Sequence, residues 1–97
     1  MLYQKGEYQR EAAVFKALGH PARLWMAQQL AHGREHCVRD FVEALRVEYA
    51  TVSKHLAILK QAGILVDEKR GKQVFYRLAC TCVTDFIGCL QNRPARP

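Results

Sequence analysis

No stretch of this 97-residue chain approaches the roughly 20 consecutive apolar residues that a membrane-spanning helix needs, which excludes such a helix. Its first seven residues, Met1 to Glu7, hold no hydrophobic run, so no secretory signal is expected and the chain reads as cytosolic. There is no internal repeat, low-complexity tract or Pro/Gly-rich linker. At this length one domain over residues 1–97 is expected, with a frayed tail from about residue 92. Catalytic signatures are missing too: there is no Cys-x-x-Cys, phosphate loop, glycine-rich nucleotide fingerprint or nucleophile–base–orienter set, so an enzyme is not expected. Acidic residues are few, nine against fifteen Lys and Arg, and the net charge of +6 suits nucleic acid or an acidic membrane surface.

What is present is an apolar fraction of 49%, ordinary for a folded globule. So short a chain buries a modest core, and a partner subunit would add stability. From about Glu7 to Leu18, Tyr8, Ala12 and Phe15 recur at helical spacing. Gly19-His20-Pro21 stops that helix and starts another, from Ala22 to about Ala31, because proline is preorganised for a first helical position. The second helix is apolar on most sides and reads as central, with Trp25 packed in the core and His20 and His32 at its ends.

A short helix over Val38–Leu45 carries Val38, Phe41, Val42 and Leu45 on one stripe. After Arg46-Val47-Glu48 a further helix, about Tyr49 to Gln61, turns Val52, Leu56 and Leu59 inward, and Gly63 caps it. Then the period changes. Ile64-Leu65-Val66 and Val74-Phe75-Tyr76 flank Lys69-Arg70-Gly71-Lys72, the pattern of a β-hairpin with a glycine in its turn. A last helix follows from about Val83 to Gln91, with Val83, Phe86, Ile87 and Leu90 apolar. Four helices, a two-stranded hairpin and a closing helix make a mainly α (α+β) winged helix-turn-helix.

Such a motif offers the first half of its second helix to the major groove. With Val52 and Leu56 turned inward, Thr51, Ser53, Lys54 and His55 are read as outward and suited to base edges or phosphate. Lys69, Arg70 and Lys72 of the hairpin join them as a basic wing. From Arg46 to Arg77 seven basic residues face three acidic ones, so this third of the chain carries +4 of the total +6. Double-stranded operator DNA is the expected partner.

Three strings carry a family resemblance: Phe15-Lys16-Ala17-Leu18-Gly19-His20-Pro21-Ala22-Arg23-Leu24, Val52-Ser53-Lys54-His55-Leu56 and Gly71-Lys72-Gln73-Val74-Phe75-Tyr76-Arg77-Leu78. In this order and spacing the chain resembles the ArsR/SmtB bacterial repressors from about Glu7 to Leu90. The resemblance implies a homodimer that releases its operator on binding a metal or metalloid ion. It also implies a dimer interface formed by the first and last helices, which here would use Tyr8, Phe15, Phe86 and Leu90.

The four cysteines are matched to that family one at a time. Glu35-His36-Cys37-Val38-Arg39-Asp40 resembles a Glu-Leu-Cys-Val-Cys-Asp box of arsenic and cadmium sensors, but Arg39 and Val42 replace its other sulfurs. Cys37 is therefore read as a small buried residue at a helix start. Cys80 and Cys82 stand where zinc sensors carry Asp-x-His, while the partner positions fall at about Arg93 and Arg96, which cannot be ligands. Thiolates select soft ions. With Cys89 as third sulfur, the set suits As(III) or Sb(III) as inducer, with no organic cofactor. Along a regular helix Cys82 and Cys89 lie about 10 Å apart in rise. The three thus meet either within one subunit, through a loop before the helix, or across the dimer; the local arrangement is preferred. A thiol near that helix start should also ionise more readily. Thiol oxidation or persulfide formation, or a soft divalent ion such as Cd(II) or Zn(II), are the alternative triggers.

Overall fold

The computed structural model describes residues 1–94. Helix α1 (Gln9–Leu18) leads into α2 (Pro21–Gln29), a 3-10 turn (Ala31–Gly33) and a two-residue strand β1 (His36–Cys37). Then come α3 (Val38–Leu45), α4 (Tyr49–Gln61), β2 (Leu65–Arg70), β3 (Gln73–Leu78) and α5 (Cys82–Gln91). No helix among the described residues is long and apolar enough to cross a membrane.

Each boundary has a local cause. The His20 ring caps α2, its Nδ1 accepting from the Ala22 amide at 3.1 Å, and Pro21 fills the first helical position. Arg46 turns the chain between α3 and α4 at φ 56°, a left-handed conformation uncommon outside glycine. Helix α4 ends in the glycine-centred manner: Gly63 sits at φ 80°, and the Ile64 amide reaches back to the Leu59 carbonyl at 3.0 Å. The Ile64 carbonyl in turn accepts from the Ala79 amide at 2.8 Å and the Cys80 amide at 3.2 Å.

The core is built from the inward residues of every helix: Leu18, Met26, Leu30, Phe41, Val52, Leu56, Leu59, Val83 and Ile87 are buried together. A fully buried leucine contributes about 1.5–3 kcal/mol. Strand β3 runs between β1 and β2, both antiparallel to it, and the hairpin register pairs Leu65 with Leu78 and Arg70 with Gln73 across the Gly71-Lys72 turn.

Some readings change. Strand β1 adds a third strand to the expected hairpin, His36 pairing with Tyr76 and Cys37 with Phe75. Helix α2 stops at Gln29, because the chain turns at His32 and Gly33, both with positive φ. Tyr8 precedes α1 in a left-handed conformation instead of lying on its stripe. Trp25 is not in the core. It is exposed, edge-on to Phe41, and lines an open groove of about 590 Å³ between α2 and α5.

Candidate nucleic-acid interface and thiol pair

Helices α3 and α4 with the β2–β3 wing form the face to which the positive charge had been assigned. Thr51 and Lys54 are exposed on α4, and Ser53 is half-buried. Lys69 and Lys72 are exposed on the wing, and no salt bridge among the described residues engages them or Lys54. A cleft of about 250 Å³, lined by Cys37, Val38, Arg39, Tyr49, Lys72, Gln73 and Val74, joins the starts of α3 and α4 to the wing turn. Reading helix and wing therefore share one rim. Tyr49, the first residue of α4 and 64% exposed, also stands on that rim; it lies three residues before Val52 on the apolar row of α4, so its spacing gave no sign of this exposure.

His55 does not point outward. It is half-buried against α2, its ring 4.6 Å from that of His20, with Arg23 Nη1 donating to its Nδ1 at 3.2 Å. The spacing explains this, since His55 is three residues after Val52 and four before Leu59, both core residues of α4. Burial holds its imidazole below the usual range, and the charges of His20, Arg23 and Lys54 act in the same direction. A lowered folded-state value means the unfolded chain takes up the proton first, so stability is full above about pH 6.5 and declines as pH falls through that value. The urea midpoint should drop as pH falls below about 6.5, and His55→Gln should reduce that drop. An unchanged pH profile in the variant would assign the acid sensitivity elsewhere.

Arg70 was expected to face DNA, yet its guanidinium is occupied within the chain. Nη1 contacts Glu35 at 2.7 Å and Nη2 contacts Glu68 at 2.6 Å, and the hydrogen bond from Arg70 holds the Glu35 carboxyl below its ordinary value. Lys60 is likewise paired, with Asp67 at 2.9 Å.

The cysteines separate in space. Cys37 is buried at the start of α3, as read, and caps it reciprocally with Asp40: its amide donates to Asp40 Oδ2 at 3.2 Å while its sulfur accepts from the helix backbone. Cys80 lies in the turn before α5 and Cys82 is the first residue of that helix; their sulfurs are 3.3 Å apart. Cys89 is exposed further along α5, and no group of three His, Cys, Asp or Glu within the chain can hold a metal ion among the described residues. The preferred local three-sulfur site is thus not formed, because helical rise carries Cys89 away from the turn. Easier ionisation does not hold at Cys80 either. The shared contact with Cys82, and then burial, push its thiol up. Arg96 lies outside the described residues.

On another side, α1 and α5 lie together, the Phe15 and Phe86 rings 5.7 Å apart. Phe86 is half-buried, while Tyr8, Phe15 and Leu90 are exposed at 70%, 64% and 56%.

Comparison with known proteins agrees with this arrangement. Residues 20–66 match the bacterial regulatory protein, arsR family. The chain is 37% identical over 81 residues to the uncharacterized HTH-type transcriptional regulator MJ1325 of Methanocaldococcus jannaschii, covering 84% of this chain and 91% of that one. It is 41% identical over 66 residues to the arsenical resistance operon repressor of Escherichia coli strain K12, covering 68% of this chain and 56% of that repressor. The chain spans about half the length of several of the curated relatives it matches. Among solved structures, the homodimeric winged helix-turn-helix DNA-binding domain Mb0332 from Mycobacterium bovis superposes with a TM-score of 0.74 at 28% identity, covering 94% of this chain and 87% of that one. The chain belongs to the ArsR family of winged helix-turn-helix transcriptional regulators.

Proposed function

We propose that this protein is a cytoplasmic, dimeric transcriptional repressor that holds operator DNA through α4 and the β2–β3 wing and releases it when a thiophilic metalloid, As(III) or Sb(III), binds Cys80 and Cys82. The observation that carries this reading is the pair of sulfurs 3.3 Å apart in the turn that enters α5. Soft ions favour thiolates, and two sulfurs this close can share one ion. Cys89 of the partner subunit would complete a three-sulfur set across the dimer. The exposed apolar face of α1 and α5 supports a homodimer, since faces of this kind mark interaction sites and the similar Mb0332 domain is homodimeric. The DNA-contacting residues would be Thr51, Ser53, Lys54, Lys69 and Lys72, and the dimer contacts Tyr8, Phe15, Phe86 and Leu90. The same sulfur separation favours one second reading, in which an oxidant takes two electrons and two protons from the pair to leave a disulfide. A polysulfide would take them too and also give up one sulfane sulfur that bridges the two cysteines, the rest leaving as shorter sulfides.

Titration with arsenite, antimonite, cadmium and zinc, followed by thiolate absorption and by the anisotropy of labelled operator, tests the reading. Saturating arsenite should weaken operator binding about 5–150-fold, the usual range of coupling between two sites. The Cys80→Ser/Cys82→Ser variant should bind operator normally and ignore arsenite; release that persists in it would overturn the proposal. If hydrogen peroxide or polysulfide releases the wild type and arsenite does not, the trigger is redox. Loss of response in Cys89→Ser would place its sulfur in the set.

A further inference from the structure

Four of the five N–H donors of Arg70 are taken up by two carboxylates. Nη1 donates to Glu35 Oε2 at 2.7 Å and Nη2 to Glu35 Oε1 at 3.1 Å, while Nε at 3.1 Å and Nη2 at 2.6 Å both reach Glu68 Oε1. The guanidinium also lies over the Phe75 ring, 4.9 Å from its centroid. Topology explains the convergence. Glu68 and Arg70 are two residues apart on β2 and so share a face, and Phe75 of the middle strand pairs with Glu68 on one side and Cys37 of β1 on the other. Glu35 immediately precedes β1. The arginine therefore crosses the sheet from one edge to the other, over Phe75, and ties the wing to the segment that leads into α3.

Paired hydrogen bonds from a guanidinium to a carboxylate have the geometry it would offer a phosphate. Here Glu35 and Glu68 occupy that place, whereas Lys69 and Lys72 have no such partners among the described residues. We propose that Arg70 is a positioning residue of the wing, latched by Glu35 and Glu68 across Phe75, and that Lys69 and Lys72 rather than Arg70 take the DNA phosphates. This rests on the reading of α4 and the wing as the DNA face. The latch sets the angle of the wing, and it withholds one positive charge from the DNA.

The salt dependence of operator binding tests it, because each neutralised phosphate contributes about 0.9 to the slope of log affinity against log salt, and a dimer counts each residue twice. Lys72→Ala should flatten the slope by up to about two. Arg70→Ala should lower affinity by a similar factor at every salt concentration, leave the slope nearly unchanged, and speed amide hydrogen exchange in β2 and β3. Arg70→Lys should not rescue it, since one ammonium cannot hold both carboxylates in this geometry. Glu35→Gln should steepen the slope by up to about two as the freed guanidinium reaches phosphate. The Glu35→Gln/Arg70→Ala double variant should return to the Arg70→Ala slope. The proposal is overturned if Arg70→Ala flattens the slope as much as Lys72→Ala does, or if the steepening by Glu35→Gln survives in the double variant. A Lys72→Ala slope equal to that of the wild type would instead overturn the DNA face itself.

Discussion

Raising salt from 50 to 200 mM should weaken operator binding about a thousandfold. The figure follows from counting unpaired cations, not total charge. Of the seven basic residues between Arg46 and Arg77, Lys60 is held by Asp67, and Arg70 by Glu35 and Glu68. Five are left outside any salt bridge among the described residues, Arg46, Lys54, Lys69, Lys72 and Arg77; three of them, Lys54, Lys69 and Lys72, lie on the first half of α4 and beside the wing turn and enter the count. Two protomers would bring six such contacts, each releasing about 0.9 of a counterion, for a slope of about −5. Anisotropy titrations at four or five salt concentrations give that slope directly. A value shallower than about −2 would mean that the wing lysines do not reach the backbone.

Leu56→Ala should cost about 2–5 kcal/mol, a large part of the 5–15 kcal/mol that holds an ordinary domain together. Leu56 is fully buried on α4 between Val52 and Leu59, and helices α1, α2 and α3 all pack against α4. Truncation leaves a cavity beneath the reading helix, where collapse would pull several elements at once. For a domain of this size each kcal/mol lowers Tm by about 4–8 °C, so a fall of roughly 10 °C or more is expected at fixed protein concentration. Operator binding should be lost with folding. Lys54→Ala, two residues away on the exposed side of α4, should shift Tm little, within about 0.5 kcal/mol, while weakening DNA binding. A Leu56→Ala protein that melts with the wild type would remove Leu56 from the core.

Where a long apolar stripe decides an element, its position was legible. The stripes Val38–Phe41–Leu45 and Val52–Leu56–Leu59 gave α3 and α4 with their observed bounds. Strand β1 is two residues long, too short for alternation to register, and exists only because β3 presents an edge to it. Trp25 misled because bulk suggests burial, although its neighbours Met26 and Ala27 already fill the interior side of α2. His55 misled because polarity outweighed its place on the apolar row. Charge counting along the chain could not reveal that Arg70 meets Glu35, a residue 35 positions away. Three cysteines within ten positions looked like one cluster, yet a helix spreads such a run along its length, and only the two at its mouth meet.

The peptide at Ile64 belongs to two structures at once. Its amide closes the last turn of α4, and its carbonyl receives both amides of the turn that carries Cys80. If the thiol turn and the reading helix answer to each other through this plank, coupling between them runs equally in both directions. Operator DNA then acts as an antagonist of the inducer. The inducer dose needed for half-release would rise with the number of operator copies in the cell, and a promoter carrying several sites would open later than one carrying a single site.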